Sequence, residues 1–379
     1  MVGGARVAAG LLALLATQGA GAEGFRGVLA VAGDRVVAEE NADRLFTPAS
    51  VQKLLVAAAA LDALDPEHRI VTRLVADGEL AGGSLRGDHV LVAAGDPTRS
   101  DRFHEDDPQL PLRTLARDVA ETGLRRVEGR LRIDVSGFPG RRYHPDLPLA
   151  ELGLGLGAPT AAVALDDNVF EIVIEPGARL GDPGRAATAE AVTIENRTVT
   201  VGKDRHARGS VTFLPVWGEN RVVVEGEYPI SEGAYRVPVA VPAPALRVGE
   251  ALHAQLAAAG VEVAGVVAVD GASPAPEGPI LASWSSPPLA EVLAPVLRDS
   301  SNWHAAMVLQ LLAHQVGGEG RLDDGMELVA SFLVERVGVP ETAFDLRDAA
   351  GLSPYNLVSP RAVVQVLRHA LATKWGLAL

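Results

Sequence analysis

A chain of 379 residues, 48% of them hydrophobic, can bury a large core and exceeds the size at which single cores stop growing, so two units or one unit with a large insertion are expected. Its 34 basic and 48 acidic side chains give a net charge of −14 with no basic run, which excludes nucleic acid as a partner because phosphates need clustered Lys and Arg. The absence of cysteine removes disulfides, zinc–thiolate and iron–sulfur sites and thiol nucleophiles together, and leaves oxygen or amine to act as a nucleophile.

At the N-terminus, Arg6, the apolar run 7–16 and Ala20-Gly21-Ala22 match the three regions of a secretory leader spanning residues 1–22, cleaved after Ala22. The mature protein is then periplasmic or extracellular, with no transmembrane span, since the leader's apolar run is about half of the roughly 20 residues that cross a bilayer. Residues 28–32 and 36–38 flank Gly33-Asp34 as a β-hairpin. A helix follows, with Thr47 as its cap and Pro48 in its first position, and Val51, Leu54, Leu55 and Ala58 recur at helical spacing to about Leu64.

From residue 70 to about 241 the pattern turns β-rich, with short runs at 70–75, 90–94, 127–134, 169–174, 192–201, 211–216 and 221–225 broken by glycine. One amphipathic helix at 112–122 interrupts them, and His104-Glu105-Asp106-Asp107 reads as a solvated loop, not a metal site. A helix at 246–259 and strands at 261–269 and 279–283 lead into helices at 288–298, 302–315, 323–337 and 360–372.

Serine chemistry without a Ser-His-Asp set needs a base beside the hydroxyl, and Ser50-Val51-Gln52-Lys53 puts both on one helix face. Only three lysines occur (Lys53, Lys203, Lys374), so a Ser-x-x-Lys pair is expected by chance only about 0.1 times. A helix N-terminus favours developing negative charge, so Ser50 would sit beside part of an oxyanion hole. In apolar surroundings the amine of Lys53 would lose its proton more readily and serve as the base. Ser300-Ser301-Asn302, between two predicted helices, is the second candidate: Ser300 to relay a proton to the leaving group, Asn302 to hold a peptide carbonyl or Lys53. The histidines show no ligand spacing, and no cofactor or metal is called for.

These residues resemble the class C low-molecular-mass penicillin-binding proteins, the D-alanyl-D-alanine carboxypeptidase/endopeptidases. The resemblance rests on an ordered set running from about residue 25 to the end: Phe46-Thr47-Pro48-Ala49-Ser50-Val51-Gln52-Lys53, Gly95-Asp96-Pro97-Thr98, Ala158-Pro159-Thr160, Asp167-Asn168, Ser286-Pro287-Pro288-Leu289, Ser300-Ser301-Asn302, and Gly351-Leu352-Ser353 with Tyr355-Asn356. It implies an α/β fold: a serine β-lactamase/DD-peptidase-like core, an antiparallel sheet with helices, interrupted by a large β-rich insertion. The core would comprise residues 23–73 and 287–379, and the insertion 74–286, with a subdomain of about 97–161 nested within it. It also implies attack by Ser50 on the D-Ala-D-Ala bond of peptidoglycan stem peptides, with Lys53, Ser300 and Asn302 as its catalytic companions and β-lactam antibiotics as covalent inhibitors.

The family's third motif, Lys-Thr-Gly on a strand, lies several tens of residues beyond the segment matching 351–356, whereas here 23 residues follow Asn356. Lys374-Trp375-Gly376 imitates its spelling but reads as the end of the 360–372 helix, so the C-terminal part of the core is expected to be missing. That leaves two alternatives to the peptidase: a truncated or catalytically inactive homologue that only binds peptidoglycan, and a β-lactamase, against which the large insertion argues.

Overall fold

The computed structural model describes residues 25–104, 107–148, 151–202, 210–216, 219–265, 267–273 and 275–379; the predicted leader at 1–22, Glu105, Asp106 and Lys203 lie outside them. The hairpin β1 (Val28–Ala32) and β2 (Arg35–Glu40) comes first, and a 3-10 turn, Ala49–Val51, leads into α1 (Gln52–Leu64). A longer hairpin, β3 (Val71–Ala81) and β4 (Ser84–Val92), precedes α2 (Leu110–Glu121), β5 (Arg126–Val127) and β6 (Leu131–Asp134). Six strands follow: β7 (Val169–Glu175), β8 (Arg185–Ala187), β9 (Thr193–Val201), β10 (Thr212–Pro215), β11 (Arg221–Pro229) and β12 (Tyr235–Ala240). Then come α3 (Pro244–Ala258), β13 (Glu262–Val263), β14 (Ala268–Asp270), β15 (Ile280–Ser285), α4 (Leu289–Val292), α5 (Ala294–Leu297), α6 (Asn302–Gly317) and α7 (Leu322–Ser331). The short pair β16 (Phe344–Asp345) and β17 (Leu357–Val358) and the helix α8 (Pro360–Leu371) complete the order.

Four apolar clusters hold these elements, the smallest being Ala158, Ala164 and Ala240 packed on Trp303 and Met307 of α6. The first is helical and joins both ends of the described chain: α1 contributes Leu55 to Leu61, α6 contributes Val308, Leu311 and Leu312, and α8 contributes Ala362, Val366 and Ala370. Alanine-rich α1 is buried nearly all round, which explains why it shows no amphipathic stripe. The second cluster lies between α2, α3 and a seven-stranded mixed sheet in which β15 pairs with β3, β3 with β4, and β4 with β5 and β6. The third fills the space between two three-stranded sheets, β10-β11-β9 and β12-β7-β8, through Phe170, Ile172, Val222, Val224 and Val239.

Several predicted elements take different bounds. The helix expected from Pro48 begins at Gln52, because Ala49 adopts φ +47 and cannot continue a right-handed helix; Thr47 does not cap it. The predicted strand 127–134 is two strands separated at Gly129, where a Cβ would come within 2.4 Å of Gly87 O. The predicted strand 261–269 is likewise two short ones, both parallel to their partners. The predicted helix 288–298 is interrupted before Pro295, consistent with the missing N–H of proline. Strands β3 and β4 extend well past the predicted runs because their shared tip, including Asp77, Glu79 and Arg86, is exposed and carries no apolar alternation. Among the described residues no helix is long and apolar enough to cross a membrane.

One consequence concerns acid stability. His89 on β4 is fully buried beside Ala76 and Leu131, neither ring nitrogen has a hydrogen-bond partner among the described residues, and burial pushes its pKa down to about 4. The unfolded chain therefore takes up a proton near pH 6.5 that the folded chain refuses until about 4, so stability is lost as pH falls through that window. Thermal melts from pH 7 to 5 should show Tm falling, and His89→Phe should make that slope shallower; an unchanged slope would exclude His89 as a source of it.

Candidate active site

Ser50 stands exposed on the 3-10 turn, and the first turn of α1 carries Lys53 beneath it. Lys53 Nζ lies 3.1 Å from Ser50 Oγ and donates to Ala350 O at 2.9 Å, while the lysine is only 1% exposed. Burial lowers the pKa of this amine from its ordinary value, and the Asp348 carboxylate opposes that shift without cancelling it. A desolvated amine that can shed its proton, within hydrogen-bond reach of an exposed hydroxyl, is the arrangement that makes an alcohol nucleophilic.

The partner of this turn comes from residues 348–356. Asp348 Oδ1 accepts the N–H groups of Ala350 at 2.7 Å, Gly351 at 2.5 Å and Leu352 at 3.3 Å, and Oδ2 accepts those of Ser353 at 2.5 Å and Asn356 Nδ2 at 3.2 Å. Five donors on one carboxylate fold the segment into a compact loop and aim Ala350 O at Lys53. Gln52 Nε2 reaches Asp348 O at 2.9 Å, and Ser353 Oγ donates to Asp146 Oδ2 at 2.7 Å. Phe46 and Val358 exchange backbone hydrogen bonds of 3.1 and 2.9 Å, so the segment leading into Ser50 is fixed to β17 as well.

Ser300 is exposed at φ +56, at the sharp turn before α6, and Asn302 opens that helix. Asn302 lines a cavity of about 60 Å³ with Tyr143, His144, Trp303, Asp348 and Ala350, and so faces the loop that Lys53 touches. Among the described residues neither Ser300 nor Asn302 hydrogen-bonds Ser50 or Lys53: the structure joins Ser50 and Lys53 directly and brings Asn302 to the same loop. Lys374 is exposed on the turn that follows α8, and Trp375 is buried with its Nε1 on Asp62 Oδ1 at 3.2 Å, which makes Lys374-Trp375-Gly376 a helix end and not a strand. Sequence reasoning missed Asp348, Gln52 and Asp146. Only the Asp348-to-Gly351 spacing, an Asx-turn signature, could have pointed to the first.

In solved structures, the fold is similar to penicillin-binding protein 4 (dacB) from Haemophilus influenzae, with a TM-score of 0.79, 22% identity, and coverage of 91% of this chain and 74% of that one. A structure of that protein complexed with a β-lactam matches with a TM-score of 0.74 at 22% identity, over 90% of this chain and 72% of that one. In sequence, the chain is 31% identical over 355 residues to a D-alanyl-D-alanine carboxypeptidase of an Actinomadura species, covering 91% of this chain and 63% of that relative's length. It is 24% identical over 337 residues to the D-alanyl-D-alanine carboxypeptidase DacB of Haemophilus influenzae, covering 89% of this chain and 68% of the relative. The architecture is therefore the α/β DD-peptidase fold, and a family profile matches residues 9–379: the chain belongs to the D-Ala-D-Ala carboxypeptidase 3 (S13) family.

Proposed function

We propose that this chain is a serine D-Ala-D-Ala carboxypeptidase/endopeptidase that acts on peptidoglycan stem peptides outside the cytoplasm through an acyl-enzyme on Ser50. The observation that carries this reading is the 3.1 Å approach of a buried, deprotonation-prone Lys53 Nζ to the exposed Ser50 Oγ. Neutral Lys53 accepts the Ser50 proton, Oγ bonds to the carbonyl carbon of the penultimate D-Ala, and the backbone N–H at the turn stabilises the oxyanion. The C–N bond then breaks, the leaving D-Ala amine takes a proton by way of Ser300, and water hydrolyses the Ser50 ester. Asn302 holds the substrate carbonyl beside the 348–352 loop. A β-lactam carries its amide in a ring and would stop at the ester.

The same reading assigns residues 23–73 and 287–379 to the peptidase core and 74–286 to an insertion. The division is supported by the helical cluster that unites both ends of the chain and by the separate second and third clusters. The secretory pattern at residues 1–22 supports export. The wall-binding alternative is disfavoured, because binding alone gives no reason to bury an amine against a serine hydroxyl.

The test is intact-mass analysis after exposure to penicillin. The native chain should gain one penicilloyl group, and Ser50→Ala should fold and gain none, since the Ser50 side chain is exposed and makes one hydrogen bond among the described residues. Labelling of Ser50→Ala at the native rate would sink the assignment.

A further inference from the structure

Ser300 is held in the left-handed region at φ +56, a conformation unfavourable for a serine that persists only when its surroundings fix it. Its two neighbours each belong to a group of polar side chains, and the two groups approach each other at Asp167 and His304. On one side, Asp299 Oδ2 accepts Arg102 Nη1 at 2.8 Å, and Arg102 Nε donates to Asp167 Oδ2 at 2.9 Å. On the other side, Ser301 Oγ lies 2.9 Å from His304 Nδ1 and accepts the His304 N–H at 3.3 Å, capping α6. His304 Nε2 and Asp167 Oδ1 face each other at 3.7 Å, beyond hydrogen-bond length; both atoms are buried, and among the described residues neither has a hydrogen-bond partner.

The imidazole is fully buried between the rings of Trp303 and Phe103, with centroids 4.8 and 6.1 Å away. Burial lowers its pKa to about 4; Asp167 and Asp299 favour its proton and Arg102 opposes it, so it is neutral at pH 7. A neutral ring that presents Nε2–H to the Asp167 carboxylate has a lone pair on Nδ1, which accepts the Ser301 hydroxyl proton. Asp167 is itself anchored: it sits in the left-handed run Asp166, Asp167, Asn168, and Asn168 Nδ2 and Trp303 Nε1 both donate to Pro159 O, at 2.9 and 3.0 Å.

We infer that His304 is a positioning residue for the Ser300-Ser301-Asn302 turn, acting through Ser301 and held in one tautomer by Asp167, so that Ser300 and the first residue of α6 keep a fixed place at the cleft. This inference rests on the reading of Ser50 as the acylated residue. It assigns His304 no contact with substrate.

The test combines acylation kinetics on the full chain with NMR of the unacylated protein labelled with ¹⁵N-histidine. His304 should appear at pH 7 as the neutral Nε2–H tautomer, and Ser301→Ala should shift its Nδ1 resonance. Ser301→Ala and His304→Phe should each slow penicillin acylation of Ser50 by about tenfold, and the double variant by about tenfold also, because the two residues act as one unit. Ser301→Thr, which keeps the hydroxyl, should restore the rate, and it serves in place of the alanine variant if that fails to fold. Unchanged rates in folded single variants, losses that multiply in the double variant, or an Nδ1–H tautomer would each overturn the inference. A native chain never acylated on Ser50 would remove the reading of Ser50 and the positioning role with it; acylation with the wrong tautomer would remove the positioning role alone.

Discussion

Lys53→Met should fold and lose acylation of Ser50 by about 10²–10⁴-fold, the usual worth of a positioned general base. Methionine fills the channel that the lysine stem occupies and has no group to accept the Ser50 proton. The stability cost should be small because two effects oppose each other. Ala350 O loses its 2.9 Å donor, which costs about 1–3 kcal/mol for a buried carbonyl, while the penalty of desolvating an amine disappears. The pH profile separates this role from a purely structural one. In the native chain the rate should rise with pH as Lys53 gives up its proton, and level off at a pH below 10.5, its ordinary value. Between the lowered pKa and 10.5 the unfolded chain holds a proton that the folded chain has released, so Lys53 also makes stability rise with pH there, and Lys53→Met should abolish that rise. Acylation that persists within tenfold in the methionine variant would show that some other group takes the proton.

How legible this was depends on how far apart the partners lie in the chain. Ser50 and Lys53 are three residues apart, so helical geometry alone brought them together, even though the helix begins later than Thr47 and Pro48 suggested. The left-handed turn at Ala49 was invisible because alanine gives no sign of a positive φ, and its close neighbour Gly351 lies about 300 positions away. Asp348 had no role assigned to it, and its five donors become meaningful only once the loop has closed on itself. His304 was likewise one of the histidines without ligand spacing, read as packing or a solvated face. Its partner Asp167 lies 137 positions earlier, and only the folded chain sets them 3.7 Å apart. Long strands with exposed tips, such as β3 and β4, escaped because nothing at the tip alternates.

Gly351→Ala should damage both stability and acylation, because Gly351 is where the 348–356 loop meets the nucleophile turn with no space between them. Its φ is +83, and a Cβ built there would fall 1.8 Å from Ala49 O and 2.4 Å from Ala49 C, which are backbone atoms that cannot rotate aside. The left-handed strain costs about 1–2 kcal/mol, and the overlap adds about 1–3 kcal/mol in displaced backbone. A loss of about 2–5 kcal/mol corresponds to a fall in Tm of roughly 3–6 °C for a chain of this size. The displacement has a direction: it pushes Ala49, and so Ser50, away from the loop that holds Lys53 through Ala350 O. A misplacement of about 1 Å at the reacting atoms costs on the order of 10²-fold in rate, so acylation measured well below the variant's Tm should fall by about that factor. A variant that melts early yet acylates at the native rate would mean that the loop supports the fold but leaves Ser50 where it was. A variant that keeps its Tm would mean that Ala49 has more freedom than its packing allows. The joint loss is expected because one backbone contact serves two purposes: it closes the helical core between the two ends of the chain, and it sets the height of Ser50 above Lys53.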